Sequence, residues 1–166
     1  MNICIIIPAY NEEDYIVNTL ESLVSQTYPI KEIVVVNDNS TDNTRSIIDS
    51  FSKKHSFIKS ITTKSEAIHL PGSKVINAFY KGFKFIDKEY DLICKIDADL
   101  IFPSNYFESI IAIFNDNPNC GIAGGFCYIK KEDAWILENL TNKDHIRGAL
   151  KAYRSECFNQ IGGLKN

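Results

Sequence analysis

The sequence predicts an α/β fold in which a mostly parallel sheet has helices on both faces. Three short, apolar runs are typical of strands that are buried on both sides, and they occupy residues 3–7, 32–36 and 92–96. Apolar residues at helical spacing follow each run after a polar loop. Because neighbouring parallel strands need a crossover between them, this alternation favours one α/β domain over residues 1–166.

The first two helices can be placed from their start signals. Asn11 is suited to cap a helix whose first turn contains residues 12–14, all of them acidic and favourable at the positive end of the helix dipole. A second helix is expected to begin near Thr41, after the polar loop of residues 37–42. Both helices have apolar residues at a spacing of three or four.

The remaining elements are weaker or shorter. The pattern predicts, in chain order, a strand at 57–61, a loop at Leu70-Pro71-Gly72, a helix over 75–86, a helix opened by Pro103, a strand at 120–129 weakened by Gly124-Gly125, a helix over 133–140 and a short helix over 155–161. No repeat, low-complexity segment or internal domain boundary is visible.

Composition limits the class of protein. The chain is 45% hydrophobic and 23% charged, which is ordinary for a soluble globular domain. Its net charge of −3 argues against a nucleic-acid binder that relies on a broad basic face. No apolar run approaches the roughly 20 residues of a membrane span, and residues 1–4 lack the basic start of a signal peptide. The five cysteines include no C-x-x-C pair, so we expect reduced cysteines and a cytoplasmic location.

Polar segments follow the three strongest strands directly. They occupy residues 8–12, 37–42 and 97–99. Ligands of open α/β sheets bind at the carboxyl edge of the strands. We therefore expect these segments to lie together at one edge of the sheet, although they are far apart in the sequence.

Asp97 and Asp99 are candidate metal ligands. One residue separates them, so in extended backbone both carboxylates face the same side. Two hard oxygen ligands without His or Cys suit Mg²⁺ or Mn²⁺, which keep several waters and bind substrate phosphates. The alternative is ordinary turn and capping chemistry at a strand end, but the two other polar loops at the same edge favour the metal.

Asp38, Glu12 and Lys74 each have a binding and a structural interpretation. Asp38 can accept hydrogen bonds from a nucleobase or a ribose hydroxyl, or it can cap the helix that follows. Glu12 can contact a ligand or stabilise the start of the first helix. Lys74 follows Gly72-Ser73 at a helix start, where it can meet a diphosphate or remain solvated.

The strand-end segments resemble the motifs of one protein family. Residues 6–13 (IIPAYNEE), 33–42 (IVVVNDNSTD) and 95–99 (KIDAD) look like family 2 glycosyltransferases of the GT-A fold, in the right order and with suitable spacing. Residues 147–154 and 157–164 resemble the segment of that family just past the donor site. The resemblance therefore covers nearly the whole chain.

The resemblance implies inverting transfer of a sugar from a UDP- or GDP-linked donor to a hydroxyl of a saccharide or lipid-linked acceptor. It implies that the nucleoside contacts Asp38 and a loop made of Pro8, Ala9, Tyr10, Asn11 and Glu12. Asp97 would lie near the ribose and diphosphate, and Asp99, with Asp97, would bind Mg²⁺ or Mn²⁺. Lys74 would contact the diphosphate.

The sequence departs from the family at two points. Asn37-Asp38 replaces the commoner acidic pair but leaves Asp38 in the usual nucleoside position. The general base of the family is expected in an acidic motif downstream of Gly162-Gly163-Leu164, and the sequence given ends at Asn166. We therefore expect a chain truncated after its donor-binding part, with the C-terminal acceptor part missing, and a full-length protein at the cytoplasmic face of the membrane. The alternative is a non-catalytic nucleotide-sugar-binding module.

Two aromatic residues have open roles. Trp135 and Tyr153 can line a sugar subsite. Packing in the core or on the surface is the better default for both residues.

Overall fold

A computed structural model describes residues 1–63, 73–138 and 145–165 of the chain. In chain order its elements are β1 (Ile3–Ala9), α1 (Ile16–Val24), β2 (Glu32–Asn37), α2 (Thr44–Lys54), β3 (Ile58–Thr62), α3 (Ser73–Phe83), β4 (Leu92–Ile96), α4 (Tyr106–Asp116), β5 (Ile122–Ala123), β6 (Tyr128–Lys131), β7 (Ala134–Leu137), β8 (Leu150–Arg154) and α5 (Ser155–Gln160). The loop predicted at Leu70-Pro71-Gly72 lies outside the described residues.

The main sheet has the strand order β3-β2-β1-β4-β8-β5. Its first four strands pair in parallel, whereas β8 runs antiparallel to both β4 and β5. The predicted mostly parallel sheet is therefore confirmed. Because β1, β2 and β4 are parallel, their carboxyl ends lie at the same edge, and the polar segments that follow them are brought together there.

Helices cover both faces of this sheet. Ile3, Ile5 and Ile7 of β1 face a core that also contains the apolar sides of α1, α2 and α4. Cys4 and Ile6 face a second core formed with α3 and α5. Since successive strand residues point to opposite faces, burial on both sides explains the unbroken apolar run at the start of the sequence.

Helix α3 approaches the sheet very closely at Gly82. A Cβ at this position would lie 2.6 Å from Val36 Cγ2 and 2.9 Å from Ile6 Cγ2. Glycine is therefore the residue that allows α3 to pack directly on β1 and β2. Because the same helix contains Lys74 in its first turn, this contact also fixes the position of that lysine.

Both of the first helices begin later than predicted. Helix α1 begins at Ile16, no side chain of the described residues caps it, and Asn11 has a left-handed backbone with φ of 54°. The predictions that Asn11 caps this helix and that residues 12–14 form its first turn are therefore wrong. Helix α2 begins at Thr44, whose N–H donates to Asp42 Oδ1 at 3.0 Å. The predicted start near Thr41 is three residues early because residues 40 and 41 bond to the preceding loop instead.

The segment between α4 and β8 also differs from the prediction. Instead of a helix over 133–140, the chain forms an antiparallel hairpin of β6 and β7, and residues 139 and 140 lie outside the described part. Aromatic and β-branched residues favour strands in this hairpin, and Glu132 accommodates the turn with φ of 53°. The strand predicted at 120–129 is divided into β5 and the start of β6, with Gly124 and Gly125 in the break.

The helices of the described residues are short. The longest of them, α2, α3 and α4, have 11 residues each. Among the residues that the structure describes, no helix is long and apolar enough to cross a membrane.

Candidate functional site

A cavity of about 540 Å³ opens at the carboxyl edge of the parallel strands. Chain segments that follow β1, β2 and β4 line it, together with the first turns of α3. The lining residues are Pro8, Ala9, Tyr10, Glu12, Asp38, Asn39, Lys74, Val75, Ala78, Asp97, Ala98 and Asp99. The structure therefore brings together every residue that the sequence analysis assigned to the donor and metal except Asn11. The two aromatic candidates do not line this cavity, and Tyr153 is buried in the second core.

Asp97 and Asp99 reach this cavity because Ala98 between them is held in the core. Ala98 is buried, and its carbonyl oxygen accepts a hydrogen bond from the buried Thr19 hydroxyl at 2.6 Å. The N–H of Asp97 donates to the carbonyl of Ala149 at 2.9 Å. The backbone on both sides of Ala98 is thus fixed, and both flanking aspartates line the cavity.

The two aspartates differ in their surroundings. The Lys95 ammonium forms an ion pair with Asp97 Oδ1, whereas no hydrogen bond or ion pair within the described residues engages the exposed Asp99 carboxylate. Sequence reasoning missed Lys95. The signal was present, because strand alternation places residues 95, 97 and 99 on the same side. Asp99 is consequently the carboxylate that is available to a cation.

Glu12 adds a third negative charge to this part of the cavity. Desolvation raises the pKa of the Glu12 carboxyl above its ordinary value of 4.5, and repulsion from Asp99 and Asp97 raises it further. Within the described residues, the cavity lining contains four carboxylates, those of Glu12, Asp38, Asp97 and Asp99, and one lysine, Lys74. A bound cation would relieve this repulsion.

The raised pKa of Glu12 predicts a pH-dependent gain of stability in Glu12→Gln. Ionised Glu12 destabilises the fold above its folded-state pKa, and this cost disappears below the unfolded value of 4.5. With no metal ion added, we expect Glu12→Gln to melt roughly 1–2 °C above wild type at pH 7. The effect is small because solvent screens a partly exposed carboxylate. The difference between the two Tm values should vanish as the pH falls to about 3.5. Calorimetric scans at both pH values measure it, and a gain that persists at the lower pH would contradict the electrostatic cause.

The donor set fits a cation that completes its coordination on a ligand. In the described parts of the chain, no group of three or more His, Cys, Asp or Glu side chains is arranged to hold a metal by itself. Asp97 and Asp99 supply hard oxygen atoms, which suit Mg²⁺ or Mn²⁺. Both ions commonly keep waters and take further oxygens from substrate phosphates. The two carboxylates are therefore compatible with a metal that also takes oxygen ligands from a substrate.

Asp38 lies directly after β2 and lines the same cavity as Asp99, which follows β4. It is 7% exposed, and its Oδ1 accepts a hydrogen bond from the Thr63 hydroxyl at 3.1 Å. Its N–H donates to the carbonyl of Ala9 at 2.9 Å. Of the two interpretations of Asp38 from the sequence, the structure excludes helix capping, because α2 begins at Thr44 and Asp42 bonds its first N–H.

Asn11 joins the first two loops instead of lining the cavity. Its Oδ1 accepts the N–H of Thr41 at 2.8 Å, and its own N–H donates to Ser40 Oγ at 3.0 Å. The N–H of Glu12 donates to Thr44 Oγ1 at 2.7 Å. These bonds hold the loop after β1 against the loop after β2, so that Tyr10 and Asp38 face one cavity.

Lys74 lies in the first turn of α3 and is half-buried in the cavity wall. Val75 and Ala78 of the same helix form an apolar part of the lining that sequence reasoning missed. Helical spacing places residues 74, 75 and 78 on one side of α3, which is the signal that was available. The cavity thus has a basic and partly apolar wall on the α3 side and an acidic wall on the β4 side.

Comparison with known proteins is consistent with this geometry. Residues 4–163 match the model of the family described as Glycosyl transferase family 2. A poly-beta-1,6-N-acetyl-D-glucosamine synthase of Staphylococcus epidermidis is 35% identical over 166 residues, covering 98% of this chain and 38% of the relative. This chain therefore spans little more than a third of the length of that relative.

Two solved structures resemble the fold. TarS of S. aureus (residues 1–349) in complex with UDP has a TM-score of 0.71 and 21% identity, covering 98% of this chain and 49% of that chain. The mannosyltransferase PcManGT of Pyrobaculum calidifontis, in complex with GDP-Man and Mn²⁺, has a TM-score of 0.69 and 19% identity, covering 99% and 47%. These similarities show the GT-A fold. Together with the family match over nearly its whole length, they identify the chain as a member of glycosyltransferase family 2.

Proposed function

We propose that residues 1–166 form a single domain that binds the donor of an inverting, metal-assisted glycosyltransferase. The observation behind this proposal is the cavity at the carboxyl edge, where Glu12, Asp38, Asp97 and Asp99 meet Lys74. A nucleoside diphosphate sugar matches this set, because it offers hydrogen-bond donors on its base and ribose and phosphates that need a cation.

The nucleoside is assigned to the part of the cavity lined by the loop after β1 and by Asp38. The carboxylate of Asp38 can accept hydrogen bonds from a base N–H or a ribose hydroxyl. Pro8, Ala9 and Tyr10 supply apolar surface beside it, and Asn11 holds this loop in place through Thr41. Glu12 completes the acidic side of the loop.

The diphosphate is assigned to the space between Lys74 and the two aspartates. Asp99 and Asp97 would hold Mg²⁺ or Mn²⁺ here, and Lys95 offsets part of the charge of Asp97. When bound, this ion neutralises the charge that develops on the departing nucleoside diphosphate. The fold that this chain shares with proteins solved with UDP, and with GDP-Man and Mn²⁺, supports the assignment.

Inverting transfer also needs a base that takes the proton of the acceptor hydroxyl on the face opposite the leaving group. The carboxylates of the cavity are assigned to the donor and its metal. From the resemblance to the family, which has its base in an acidic motif downstream of Gly162-Gly163-Leu164, we assign the base to a residue after Asn166. The acceptor is a saccharide or lipid-linked sugar, and the full-length protein is assigned to the cytoplasmic face of the membrane.

Titration calorimetry tests the donor assignment. UDP, GDP, UDP-GlcNAc and GDP-Man are added to the chain with and without Mn²⁺, and ADP serves as the mismatched nucleotide. We expect either the uridine or the guanosine pair to bind, with affinity at least about tenfold higher in Mn²⁺. A folded chain, checked by circular dichroism, that binds none of them would contradict the proposal.

A transfer assay distinguishes the enzyme from the alternative, a non-catalytic nucleotide-sugar-binding module. The assay uses the protein with its native downstream sequence and a broad panel of acceptors. We expect transfer or slow donor hydrolysis with Mn²⁺ present. Donor binding without either reaction would favour the non-catalytic module.

A further inference from the structure

A second cavity, of about 640 Å³, adjoins the first and shares Asp99 with it. Apart from this carboxylate, its lining within the described residues is apolar and aromatic. Phe102 and Tyr106 form its inner part and are largely buried. The Tyr106 hydroxyl is fixed in place, because it accepts the N–H of Gly125 at 3.2 Å.

The mouth of this cavity is formed by exposed aromatic rings. Phe126, Tyr128 and Trp135 line it, although each is more than half exposed. Pairing of β6 with β7 places Tyr128 opposite Leu137 and Lys130 opposite Trp135. Since residues two apart on a strand share a face, Tyr128 and Trp135 are diagonal neighbours on the same side of the hairpin.

The other side of the hairpin provides an internal control. Ile129 and Ile136 are paired there, are also exposed, and do not line the cavity. At its base the hairpin is anchored, because the N–H of Glu138 donates to the carbonyl of Cys127 at 2.9 Å and the Glu138 carboxylate pairs with Arg147. The aromatic side is thus a fixed surface beside Asp99.

The polar atoms at this mouth indicate the chemistry of the ligand. Within the described residues, neither the Tyr128 hydroxyl nor the Trp135 indole N–H has a hydrogen-bond partner. Tyrosine and tryptophan rings combine apolar faces with one polar group each, and Lys130 is the residue paired with Trp135 across the hairpin. A sugar ring has apolar C–H faces and a rim of hydroxyls, so it can use both the rings and the donors, whereas a hydrocarbon chain can use only the rings.

We propose that this cavity is the binding subsite of a saccharide acceptor, with Trp135 and Tyr128 as its stacking residues. The inference rests on the proposed donor site, because Asp99 belongs to both cavities and places an acceptor sugar beside the donor phosphates. Phe126 extends the apolar surface on which a second sugar unit can pack.

Intrinsic fluorescence can report on this subsite directly, because Trp135 is the single tryptophan of the chain. The chain is loaded with Mn²⁺ and the better-binding of UDP and GDP, and tetrasaccharides of β-linked glucose, N-acetylglucosamine and mannose are added. We expect at least one of them to change the emission of Trp135 in a saturable manner. We expect Trp135→Ala and Tyr128→Ala each to weaken the binding of that tetrasaccharide about tenfold or more. Saturation-transfer NMR measures the binding. Ile136→Ala, on the opposite side of the hairpin, should leave it unchanged.

The outcomes separate this inference from the donor assignment. The proposed subsite is supported if wild type, Trp135→Ala and Ile136→Ala bind nucleotide equally and only Trp135→Ala loses saccharide binding. Intact nucleotide binding with no saccharide bound, or with saccharide binding indifferent to Trp135, overturns it. The proposal is also overturned if dodecyl phosphate changes the emission of Trp135 and none of the tetrasaccharides does. The occupant of the cavity is then a hydrocarbon chain.

Discussion

Asp99→Asn is expected to remove the metal dependence of nucleotide binding. The substitution keeps the size of the side chain but removes the charge of the carboxylate that is free to bind a cation. Loss of residues that merely orient metal ligands costs about 10- to 100-fold in metal affinity, so loss of a ligand should cost at least as much. Calorimetric titration of UDP or GDP with and without Mn²⁺ measures the effect.

The matched control for this experiment is Asp116→Asn. Asp116 is an exposed carboxylate at the end of α4 and is not part of the cavity lining. Asp116→Asn changes the net charge by the same amount as Asp99→Asn. Because Asp116 lies outside the cavity lining, its substitution should alter neither the affinity for nucleotide nor the metal dependence of that affinity. If Asp99→Asn retained the full Mn²⁺ effect, the metal could not be bound where we place it.

Gly82→Val should destabilise the fold by about 3 kcal/mol, since inserting carbon atoms into a closely packed core costs 1–3 kcal/mol and occasionally more. The atoms that a Cβ would meet are methyl groups of Val36 and Ile6, both fully buried in central strands. β-branched side chains have few rotamers and give way little. For a chain of this size the loss corresponds to a fall in Tm of roughly 6–12 °C.

Gly148→Val is the control for Gly82→Val, because a Cβ at Gly148 meets no atom of the described part of the chain within 4 Å. We expect its Tm to remain within about 2 °C of wild type, as for other surface substitutions. Thermal unfolding followed by circular dichroism compares the two variants. Equal Tm values would mean that α3 does not pack on the sheet as closely as described.

Much of the sheet edge was predictable because it depends on burial over whole strands. The apolar runs of β1, β2 and β4 indicate strands that are covered on both faces, and parallel strands bring the segments after them to one edge. This is enough to place Glu12, Asp38, Asp97 and Asp99 around one cavity. The details that were missed depend on individual contacts between segments distant in sequence.

Asn11 illustrates why those details escape sequence reasoning. Local preference makes it a helix cap, but a bond to Thr41, thirty residues later, is what the fold uses. The helix predicted over 133–140 failed for a similar reason, because a hairpin pairs Trp135 with Lys130 across its turn. Strand β8 was missed because its five residues include polar ones and are recognisable only from their antiparallel pairing with β4.

The assignment of the first cavity to a nucleotide and a metal can be examined most directly by crystallography. Crystals of the chain grown with Mn²⁺ and the better-binding of UDP and GDP would be measured at a wavelength where manganese scatters anomalously. We expect one anomalous peak beside the Asp99 carboxylate, bridging to the diphosphate, and the base or ribose within hydrogen-bond distance of Asp38. A nucleotide bound away from Asp38, or a manganese peak away from Asp99, would contradict the proposed donor site.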